Sequence, residues 1–492
     1  MSEIKRFQEG KSSELDNSDN SVLNQFSSQF LRGMSERMRE TYSEAELDEF
    51  IKERFSFFQE AVRRSGMVRV KSYKFSSDSQ EETRFNGRVI VEISAPDAPY
   101  IVVTVEALMR KLDLRIHLKL HPIMGVVLSA EKEIEKVISA EEKLEMFDYI
   151  YLEIEADVDI AFLKHVESLI AGHMLAVQLV RNHRQNMLRR LESMEKEIDS
   201  VSVISADTKG EWSKLCGWLK LDNFTVMGSI TFVLKDSDSA DYIKTLENSG
   251  QGILTPEFLL NSSNNLMNVL IEHLWKRRRS EFPFALDRIR FHSPVLRFEN
   301  LMMLSLRVPD EKLGMVEHVF LGLLRGSSLH VKNIETPLIH QKMRYIFENR
   351  NMLENSYDYN EVVRIFSATP KFDLFSSSRK ELIQVCDSIL SVNNPNNIHC
   401  FQINTRVYGI LKLMIVMPAS LLTEVAIEQT AAFLKAKISH QHCEWFEARG
   451  SEKSRLHFEF ELQEEPQDKS DLPSFDLLQL ETEISGLIKP WE

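Results

Sequence analysis

The sequence predicts a multi-domain α+β protein with antiparallel sheets and one long heptad helix. Two observations carry this prediction. Runs with strand-like alternation are interleaved with runs of helical 3-4 spacing along most of the chain. The chain also has 492 residues, whereas one hydrophobic core rarely serves more than about 250 to 300 residues, so several small domains are expected.

The N-terminal part is predicted to be helical behind a flexible tail. Residues 1–20 are polar and contain few apolar side chains, which is typical of a flexible segment. Residues 21–85 form the predicted helical leader, because apolar residues recur three and four positions apart from Val22 to Arg64. Ser43 and Glu46 have the spacing of a capping box, which marks a helix start.

Residues 86–205 are predicted to form a small sandwich of helices and one sheet, followed by a long helix. Pro96 and Pro99 end a β-branched run, and a helical pattern follows them. The order β-α-β-β-(β)-α is that of a ferredoxin-like α+β sandwich. The predicted strands are Arg88–Ile93, Arg115–His121, the run from Pro122 to Leu128, and Phe147–Ile154, with a helix at Tyr100–Leu112.

The long helix begins near Ile160 and carries an apolar seam of about five heptads, interrupted only by His173 and Arg184. Such a seam needs a partner helix. The partner belongs either to the same chain, which we favour, or to a second copy in a dimer. The seam residues are Leu163, Val166, Ile170, Val177, Val180, Met187, Leu191, Met194 and Ile198.

Two more domains of similar rhythm are predicted over residues 206–355 and 356–465, before a linker helix in 466–492, which suggests divergent repeats of one small fold. The first has a helix to Leu221, a strand at Phe224–Leu234, a helix at Leu266–Lys276, strands at Arg288–Phe291, Met302–Val308 and Val319–Leu324, and a helix at Pro337–Arg350. The second has helices at Glu361–Ser367, Lys380–Leu390 and Leu422–Ile438, and strands at His399–Asn404, Tyr408–Val416, Cys443–Ala448 and Ser454–Leu462. The last predicted helix is Phe475–Trp491.

Composition excludes several classes of function. The formal charge of -14 argues against nucleic acid or an anionic membrane as the main partner. Four scattered cysteines without CxxC pairs, and an N-terminus that lacks a signal-peptide pattern, lead us to expect free thiols in a cytoplasmic protein.

Glycine is scarce, with 17 in 492 residues, about half the average share of roughly 7%. Loops that close on a pyrophosphate need glycine, and the chain has neither GxGxxG nor GxxxxGK, nor GxSxG or HExxH. We therefore expect no catalytic, cofactor-binding or metal-ligating residues in this chain.

Three clusters of charged or metal-ligating residue types are candidate sites. Lys276 to Arg279 could hold phosphate or RNA, but cations also complement the C-terminal end of a helix, and the acidic chain favours the second interpretation. His399, Cys400, His440, His442 and Cys443 could hold a metal, but they lack regular ligand spacing. His121 before Pro122 and His292 near Pro294 lie at strand ends, where a histidine usually satisfies local backbone groups.

Particular strings resemble the N-terminal region of the large bacterial NAD-specific glutamate dehydrogenases, in order along nearly the whole chain. The strings are VEISAPDAPYIVVTVEALMRKLDLRIHLKLHPIMGVV, GWLKLDNFTVMG, RFHSP, FLGLL, TPKFDLF, MPASLLT and RLHFEF. The matching positions, whose roles the resemblance does not assign, are Pro99, Tyr100, His121, Pro122, Trp218, Phe224, Gly228, His292, Gly322, Pro370, Phe375, Pro418, Thr423, Arg455 and His457.

The resemblance departs from the family at charged positions. Val103 and Thr104 stand where Asp and Ser are expected, Lys371 and Phe372 replace an Arg-Asp pair, and Ala419 and Ser420 replace another. Loss of such a pair removes a geometrically specific, charge-assisted contact, whereas the apolar frame survives. We expect these losses to affect ligand or interdomain contacts inherited from the family, and to leave the predicted fold unchanged.

The resemblance implies ACT-like modules without the family's catalytic domain, since the chain stops at KPWE, near where the family continues toward it. We expect a non-catalytic regulatory or assembly module that self-associates and senses a free amino acid. One alternative is a subunit or fragment of an active NAD-glutamate dehydrogenase whose catalytic chain is supplied elsewhere, in which case NAD belongs to that chain. The other is an oligomeric scaffold that binds no small molecule.

Overall fold

The computed structural model describes residues 17–40, 42–72, 88–139, 145–155, 160–202, 204–235, 242–261, 265–277, 283–392, 396–403, 410–450, 452–462 and 475–488. Most of the predicted flexible tail and the end of the predicted last helix lie outside these residues. The chain divides into two compact units. The first comprises Met1–Arg184, Gln251–Asn264 and His292–Glu299, and the second comprises Gln185–Gly250, Asn265–Phe291 and Asn300–Glu492.

The α-helices are α1 (Asn17–Leu31), α2 (Glu36–Arg39), α3 (Glu44–Arg63), α4 (Ile101–Lys111), α5 (Ile160–Glu197), α6 (Ala206–Trp218), α7 (Pro256–Asn261), α8 (Leu266–Lys276), α9 (Gly326–His330), α10 (Ile339–Asn349), α11 (Tyr357–Ala368), α12 (Lys371–Ser376), α13 (Arg379–Leu390), α14 (Glu424–Lys437) and α15 (Leu477–Leu487). The strands are β1 (Met67–Ser72), β2 (Arg88–Pro96), β3 (Arg115–Leu120), β4 (Ile123–Leu128), β5 (Ile134–Ser139), β6 (Glu145–Glu155), β7 (Phe224–Leu234), β8 (Ile243–Thr245), β9 (Gln251–Gly252), β10 (Phe284–His292), β11 (Asn300–Asp310), β12 (Gly314–Leu324), β13 (His399–Ile403), β14 (Ile410–Pro418), β15 (His440–Ala448) and β16 (Lys453–Leu462).

The predicted α+β class with antiparallel sheets is confirmed. In the first unit the strand order is β1-β2-β6-β4-β5, with β3 also paired to β6, and every pair is antiparallel. Strands β3 and β4 form one line beside β6 that breaks at His121 and Pro122. Proline has no N–H to donate, but the Pro122 carbonyl accepts a hydrogen bond from Tyr149 N at 3.0 Å.

Two strands of this sheet were not predicted. Strand β1 lies within residues 21–85, which the sequence predicts to be helical, and β5 lies in a charged stretch. All residues of β1 are only half-buried, and β5 has one buried residue, Val137. Strands with so few buried residues show only a weak alternation of apolar and polar residues in the sequence. Hydrogen bonds to the neighbouring strand, and not a hydrophobic face, hold them in the sheet.

One face of the first sheet packs on α1 and α3 through an aromatic core. Phe26, Phe30 and Phe58 are fully buried, and the Phe30 ring meets the ring of Tyr149 edge-on with centroids 5.4 Å apart. The helix α3 begins at the predicted capping box, in which the Ser43 and Glu46 side chains each accept a hydrogen bond from the other's backbone N–H. Edge-to-face ring pairs of this kind add to the free energy gained by burial.

The long helix α5 carries the predicted seam, and every seam residue is buried within this chain, with exposures of 0 to 7%. The same-chain alternative for the seam is therefore the correct one. Where α5 begins, the first sheet takes the place of the predicted partner helix. There the Glu167 carboxylate accepts a hydrogen bond from Val70 N of β1 at 3.0 Å, and the Gln178 amide donates to the Pro96 carbonyl at 2.8 Å.

The second unit contains two further antiparallel sheets. Strands β10-β11-β12-β7-β8 form one, and β13-β14-β16-β15 form the other. The second of these packs one face on α14 and α15 around Leu411, Phe458 and Phe460. Among the described residues, no helix is both long and apolar enough to cross a membrane.

A buried glutamate stands directly opposite an arginine in each of the first two sheets. Glu92 of β2 pairs in register with Arg69 of β1, and Glu317 of β12 pairs in register with Arg307 of β11. Both glutamates are 0% exposed. A buried carboxylate is stable only when cations and hydrogen-bond donors surround it, so each pair favours one strand register over its neighbours.

A hydroxyl and a second arginine complete each group. Glu92 accepts from Tyr149 OH at 2.8 Å and from Arg69 Nε at 2.8 Å, with Arg54 Nε at 3.6 Å. For the other glutamate, the partners are Ser305 Oγ at 2.8 Å, Arg277 Nη1 at 2.9 Å and Arg307 Nη2 at 2.9 Å.

We predict that Glu317→Gln destabilises the protein strongly, because it leaves half-buried Arg277 and Arg307 without the buried carboxylate between them. Breaking a buried pair costs about 3 to 5 kcal/mol. Chemical denaturation measures the change in the free energy of unfolding. Glu311→Gln, at an exposed position of the same hairpin, is the matched control and should change stability by less than about 0.5 kcal/mol. A loss for Glu317→Gln no larger than the control's would contradict the prediction.

Candidate functional site

A cluster of titratable side chains lies at one edge of the first sheet, where β2 ends and β6 begins. We call Asp97, His121, Asp148 and Arg181 the sheet-edge cluster. Pro96 pairs with Phe147, and Asp97 N donates to the Met146 carbonyl at 2.8 Å, so the loop after β2 lies beside the start of β6. His121 arrives from the break between β3 and β4 and places Nε2 2.7 Å from Asp148 Oδ1.

The carboxyl group of Asp97 is close enough to that of Asp148 for the two to interact. Burial raises the pKa of Asp97, and the negative charge of Asp148 and hydrogen bonding to it raise that pKa further, whereas Arg181 and His121 oppose the rise. Asp148 itself is 2% exposed. Asp97 therefore holds its proton more readily than an exposed aspartate does.

This arrangement suits a small ligand that carries a cation next to an anion. A bound ammonium group would take the place of the proton on Asp97 and would also meet Asp148, and a ligand carboxylate would find its partner in Arg181. The half-buried His121 helps to hold Asp148 in place through its hydrogen bond to Oδ1. None of the cluster residues is a strong nucleophile, so the geometry favours binding over covalent chemistry.

The helix α4 that follows the sheet-edge loop begins on a strained residue. Tyr100 precedes its first turn with φ of 80°, in the left-handed region that residues other than glycine rarely adopt. Three residues into the helix, buried Thr104 accepts a hydrogen bond at Oγ1 from Leu296 N at 2.9 Å. The segment 292–299 is therefore tied to α4, and His173 Nδ1 fixes it again at the Pro294 carbonyl, 2.6 Å away.

Comparisons with known proteins agree with the resemblance. A family model described as glutamate dehydrogenase, ACT1 domain, matches residues 26–169, and one described as glutamate dehydrogenase, helical motif 1, matches residues 336–394. The NAD-specific glutamate dehydrogenase of Halomonas elongata is 18% identical over 353 residues, covering 70% of this chain and 22% of the relative. That of Pseudomonas aeruginosa is 20% identical over 410 residues, covering 82% and 25%.

The chain is related to the N-terminal region of the large NAD-specific glutamate dehydrogenases. It spans about a quarter of the length of the curated relatives it matches. The ACT1 match contains the sheet and the helices α3 and α4, and with them Asp97, His121 and Asp148. The second match contains α10 to α13.

The structure brings the dehydrogenase motif positions together in small groups and does not join them into one site. Pro99 is exposed and Tyr100 half-buried in the loop that follows Asp97, and half-buried His121 and Pro122 lie at the break between β3 and β4. His292 ends β10 at an exposed position.

Two of the groups are packing contacts. A Cβ at Gly322 would lie 2.2 Å from the Thr225 carbonyl oxygen and 2.7 Å from the Phe224 ring, so only glycine fits there. The Trp218 ring lies 6.3 Å from the Phe375 ring, centroid to centroid. The buried Gly228 lies opposite Leu321 in the same sheet.

The remaining positions lie in or beside the third sheet. Pro370 precedes α12, Pro418 ends β14, and Thr423 caps α14 by accepting at Oγ1 from Ala426 N at 3.1 Å. Arg455 and His457 lie two residues apart on β16. Caps and strand ends need particular residue types for local hydrogen bonding, which accounts for the first three without a ligand.

Lys371, which stands where the dehydrogenases have arginine, is engaged inside the second unit. Its Nζ donates to Thr336 Oγ1 at 2.7 Å and to the Val331 carbonyl at 2.9 Å, and burial lowers its pKa to about 8. Lys342 of α10 donates at 2.7 to 2.8 Å to the carbonyls of Leu374, Phe375 and Ser377, at the end of α12. These lysines hold α12 in place through backbone carbonyls.

The basic cluster at Lys276 to Arg279 and the histidine and cysteine cluster form no site among the described residues. Arg277 belongs to the buried Glu317 group, whereas Arg278, Arg279 and the Lys276 side chain lie outside the described residues. His442 Nε2 lies 3.2 Å from Glu444 Oε1, and burial raises the pKa of the Cys443 thiol. Within the described ranges, no group of three or more His, Cys, Asp or Glu side chains could hold a metal ion.

All four cysteines are free thiols. Burial raises the pKa of Cys216, Cys386 and Cys400 to about 12. Thiols held protonated in this way are poor nucleophiles, which fits packing residues.

Sequence reasoning missed Asp97, Asp148 and Arg181. Asp148 was visible as an acidic residue inside the apolar run FDYIYLEI, and Asp97 as the acid between Pro96 and Pro99. An acidic residue within a buried strand is unusual, and it indicates that a partner for its carboxyl group lies elsewhere in the fold. Arg181 has no such signal, because the polar face of a long helix carries many similar residues.

We predict that Asp97→Asn gains stability relative to the unaltered protein as pH rises from about 4 to 7. The pKa of Asp97 is raised above its unfolded value near 3.8, so the folded state binds the proton more tightly and loses stability as pH rises through the folded pKa. Asparagine does not titrate and lacks this loss.

Chemical denaturation at several pH values between 4 and 7 measures the difference in free energy of unfolding between the two proteins. Asp113→Asn, an exposed aspartate in the same unit with φ of 54°, is the control and should give a difference that does not depend on pH. An Asp97→Asn difference that stays level or falls with pH would show that the folded pKa is not raised.

Proposed function

We propose that this chain is a non-catalytic regulatory or assembly module that binds a free amino acid at the sheet-edge cluster. One observation carries the proposal: the carboxyl groups of Asp97 and Asp148 interact, and the charge of Arg181 is close enough to oppose the rise in the pKa of Asp97. A free amino acid carries an ammonium group and a carboxylate, so it complements both parts. The match to an ACT1 domain over residues 26–169 supports the choice of this unit.

Regulation requires that the amino acid bind one conformation better than another. Arg181 lies on α5, and the residues of this helix beyond Arg184 belong to the second unit. A ligand that joins Arg181 to the sheet edge would favour one position of α5 over others. In this proposal the chain binds no cofactor of its own, is cytoplasmic, and self-associates.

The test is thermal denaturation and titration calorimetry of the full chain with each of the twenty amino acids. We expect at least one to raise the melting temperature, since a ligand at 100 times its Kd stabilises by about 2.7 kcal/mol. Binding at mildly acidic pH should also release a proton, because the ammonium group displaces the proton that the raised pKa of Asp97 retains. Calorimetry in two buffers of different ionisation enthalpy detects that proton.

Asp97→Asn should weaken binding about ten-fold, the usual effect of losing one charge-assisted contact. Asp113→Asn is again the control and should bind like the unaltered chain. No heat and no shift with any of the twenty amino acids would refute the proposal. A stable dimer that is indifferent to all of them would favour a ligand-independent scaffold instead.

A second candidate is a subunit or fragment of an active NAD-dependent glutamate dehydrogenase, with the catalytic part supplied elsewhere. The alignment favours it, because the chain covers only 22% and 25% of relatives that carry that name. We expect the purified chain alone not to reduce NAD in the presence of glutamate. Activity of the chain alone would overturn the non-catalytic proposal, and a co-purifying polypeptide that restores activity would establish the second candidate.

A further inference from the structure

One polar side chain of α5 joins this helix to the loop that carries Asp97. The Gln178 amide donates a hydrogen bond to the Pro96 carbonyl, with 2.8 Å between nitrogen and oxygen. Pro96 is the last residue of β2 and directly precedes Asp97. Both partners of this hydrogen bond are half-buried, so its loss would leave polar groups poorly satisfied. The helix and the loop are therefore joined one residue away from the sheet-edge cluster.

Arg181 lies on the same side of α5 as this hydrogen bond. Residues three or four positions apart on a helix are neighbours on its surface. Arg181 follows Gln178 by three positions and the seam residue Val177 by four. Val177 is buried, whereas Arg181 is exposed. This side of the helix thus reaches solvent at Arg181, one turn beyond the residue that holds the loop.

The same loop is also held on its other side, by the first sheet. Asp97 N donates to the Met146 carbonyl at 2.8 Å, and Asp148 follows two residues further along β6. The loop therefore has one anchor on β6 and another on α5. The first anchor decides how close Asp97 lies to Asp148, and the second decides how close it lies to Arg181. The charge of Arg181 does act on Asp97, because it opposes the rise in the pKa of that carboxyl.

We propose that Gln178 is a positioning residue of the sheet-edge cluster, which holds the loop with Asp97 against α5 so that one small ligand can contact both Asp97 and Arg181. A free amino acid carries its ammonium group and its carboxylate on one carbon, so the two partners have to lie at a fixed, short separation. Without the hydrogen bond the ligand itself would have to bring loop and helix together, which weakens binding. The identity of the ligand rests on the proposed function, whereas the position of the loop can be measured without a ligand.

The ligand-free test compares the effect of Arg181→Met in the unaltered chain and in Gln178→Met. Arg181→Met removes a charge that opposes the rise in the pKa of Asp97. In the unaltered chain, the stability that Asp97 loses as pH rises through its folded pKa should therefore be lost at higher pH. In Gln178→Met this displacement should be about half as large or less, because the loop is no longer held beside α5.

Chemical denaturation at several pH values between 4 and 7, with and without Asp97→Asn, isolates the contribution of that carboxyl to the free energy of unfolding. Gln185→Met makes the same substitution at an exposed position of α5, and it should leave the effect of Arg181→Met unchanged. If Gln178 had only a structural role, Gln178→Met would lower stability equally at every pH and leave the effect of Arg181→Met intact. That result would overturn the proposal.

Titration calorimetry of the full chain with the twenty amino acids tests the effect on binding. For each amino acid that binds the unaltered chain, Gln178→Met should weaken binding about five-fold, the usual effect of one hydrogen bond, and Gln185→Met should not. Unchanged affinity in Gln178→Met would overturn the proposal. If Gln178→Met does not fold, Gln178→Asn replaces it in both tests, because its amide is one methylene group too short to reach the Pro96 carbonyl.

The two measurements separate this proposal from the proposed function. If none of the twenty amino acids binds the unaltered chain, the amino-acid function fails. The pH measurement then still decides whether Gln178 positions Asp97 relative to Arg181.

Discussion

The fold depends on buried carboxylates that can be paired in only one strand register. Glu92 lies opposite Arg69, and Glu317 lies opposite Arg307. A slip of one residue would turn each glutamate to the opposite face, away from its arginines and hydroxyl. The free energy lost by an unpaired buried charge is several kcal/mol, more than most single contacts contribute. The register of each of these two sheets is thereby fixed from within.

The sheet-edge cluster follows from that register. With Glu92 held opposite Tyr151, β2 ends at Pro96 beside Phe147, which places Asp97 next to Asp148. The break at Pro122 then directs His121 to the same carboxylate. In the second unit, the neighbour of β12 is β7, whose register shifts between Leu321 and Gly322, at the position where only glycine fits against Phe224. In both units, the strand register therefore decides which residues next to the strands lie beside each other.

The sequence was informative where burial is periodic and uninformative where contacts are distant in the chain. The seam of α5 and the strand β7 follow from apolar spacing alone, and the structure has both where the pattern predicts them. Strands β1 and β5 were missed because they have almost no buried face. The charge of Arg181 reaches Asp97 only because the helix and the loop fold together, and no local sequence pattern encodes that proximity.

Two of the positions where the chain departs from the glutamate dehydrogenases, Thr104 and Lys371, make hydrogen bonds within their own unit. Thr104 accepts a hydrogen bond from Leu296 N, and Lys371 donates to Thr336 and Val331. Neither side chain needs a ligand to satisfy it. Asp97 and Asp148, in contrast, are two acidic side chains close together at a sheet edge, where an added cation would meet opposite charge.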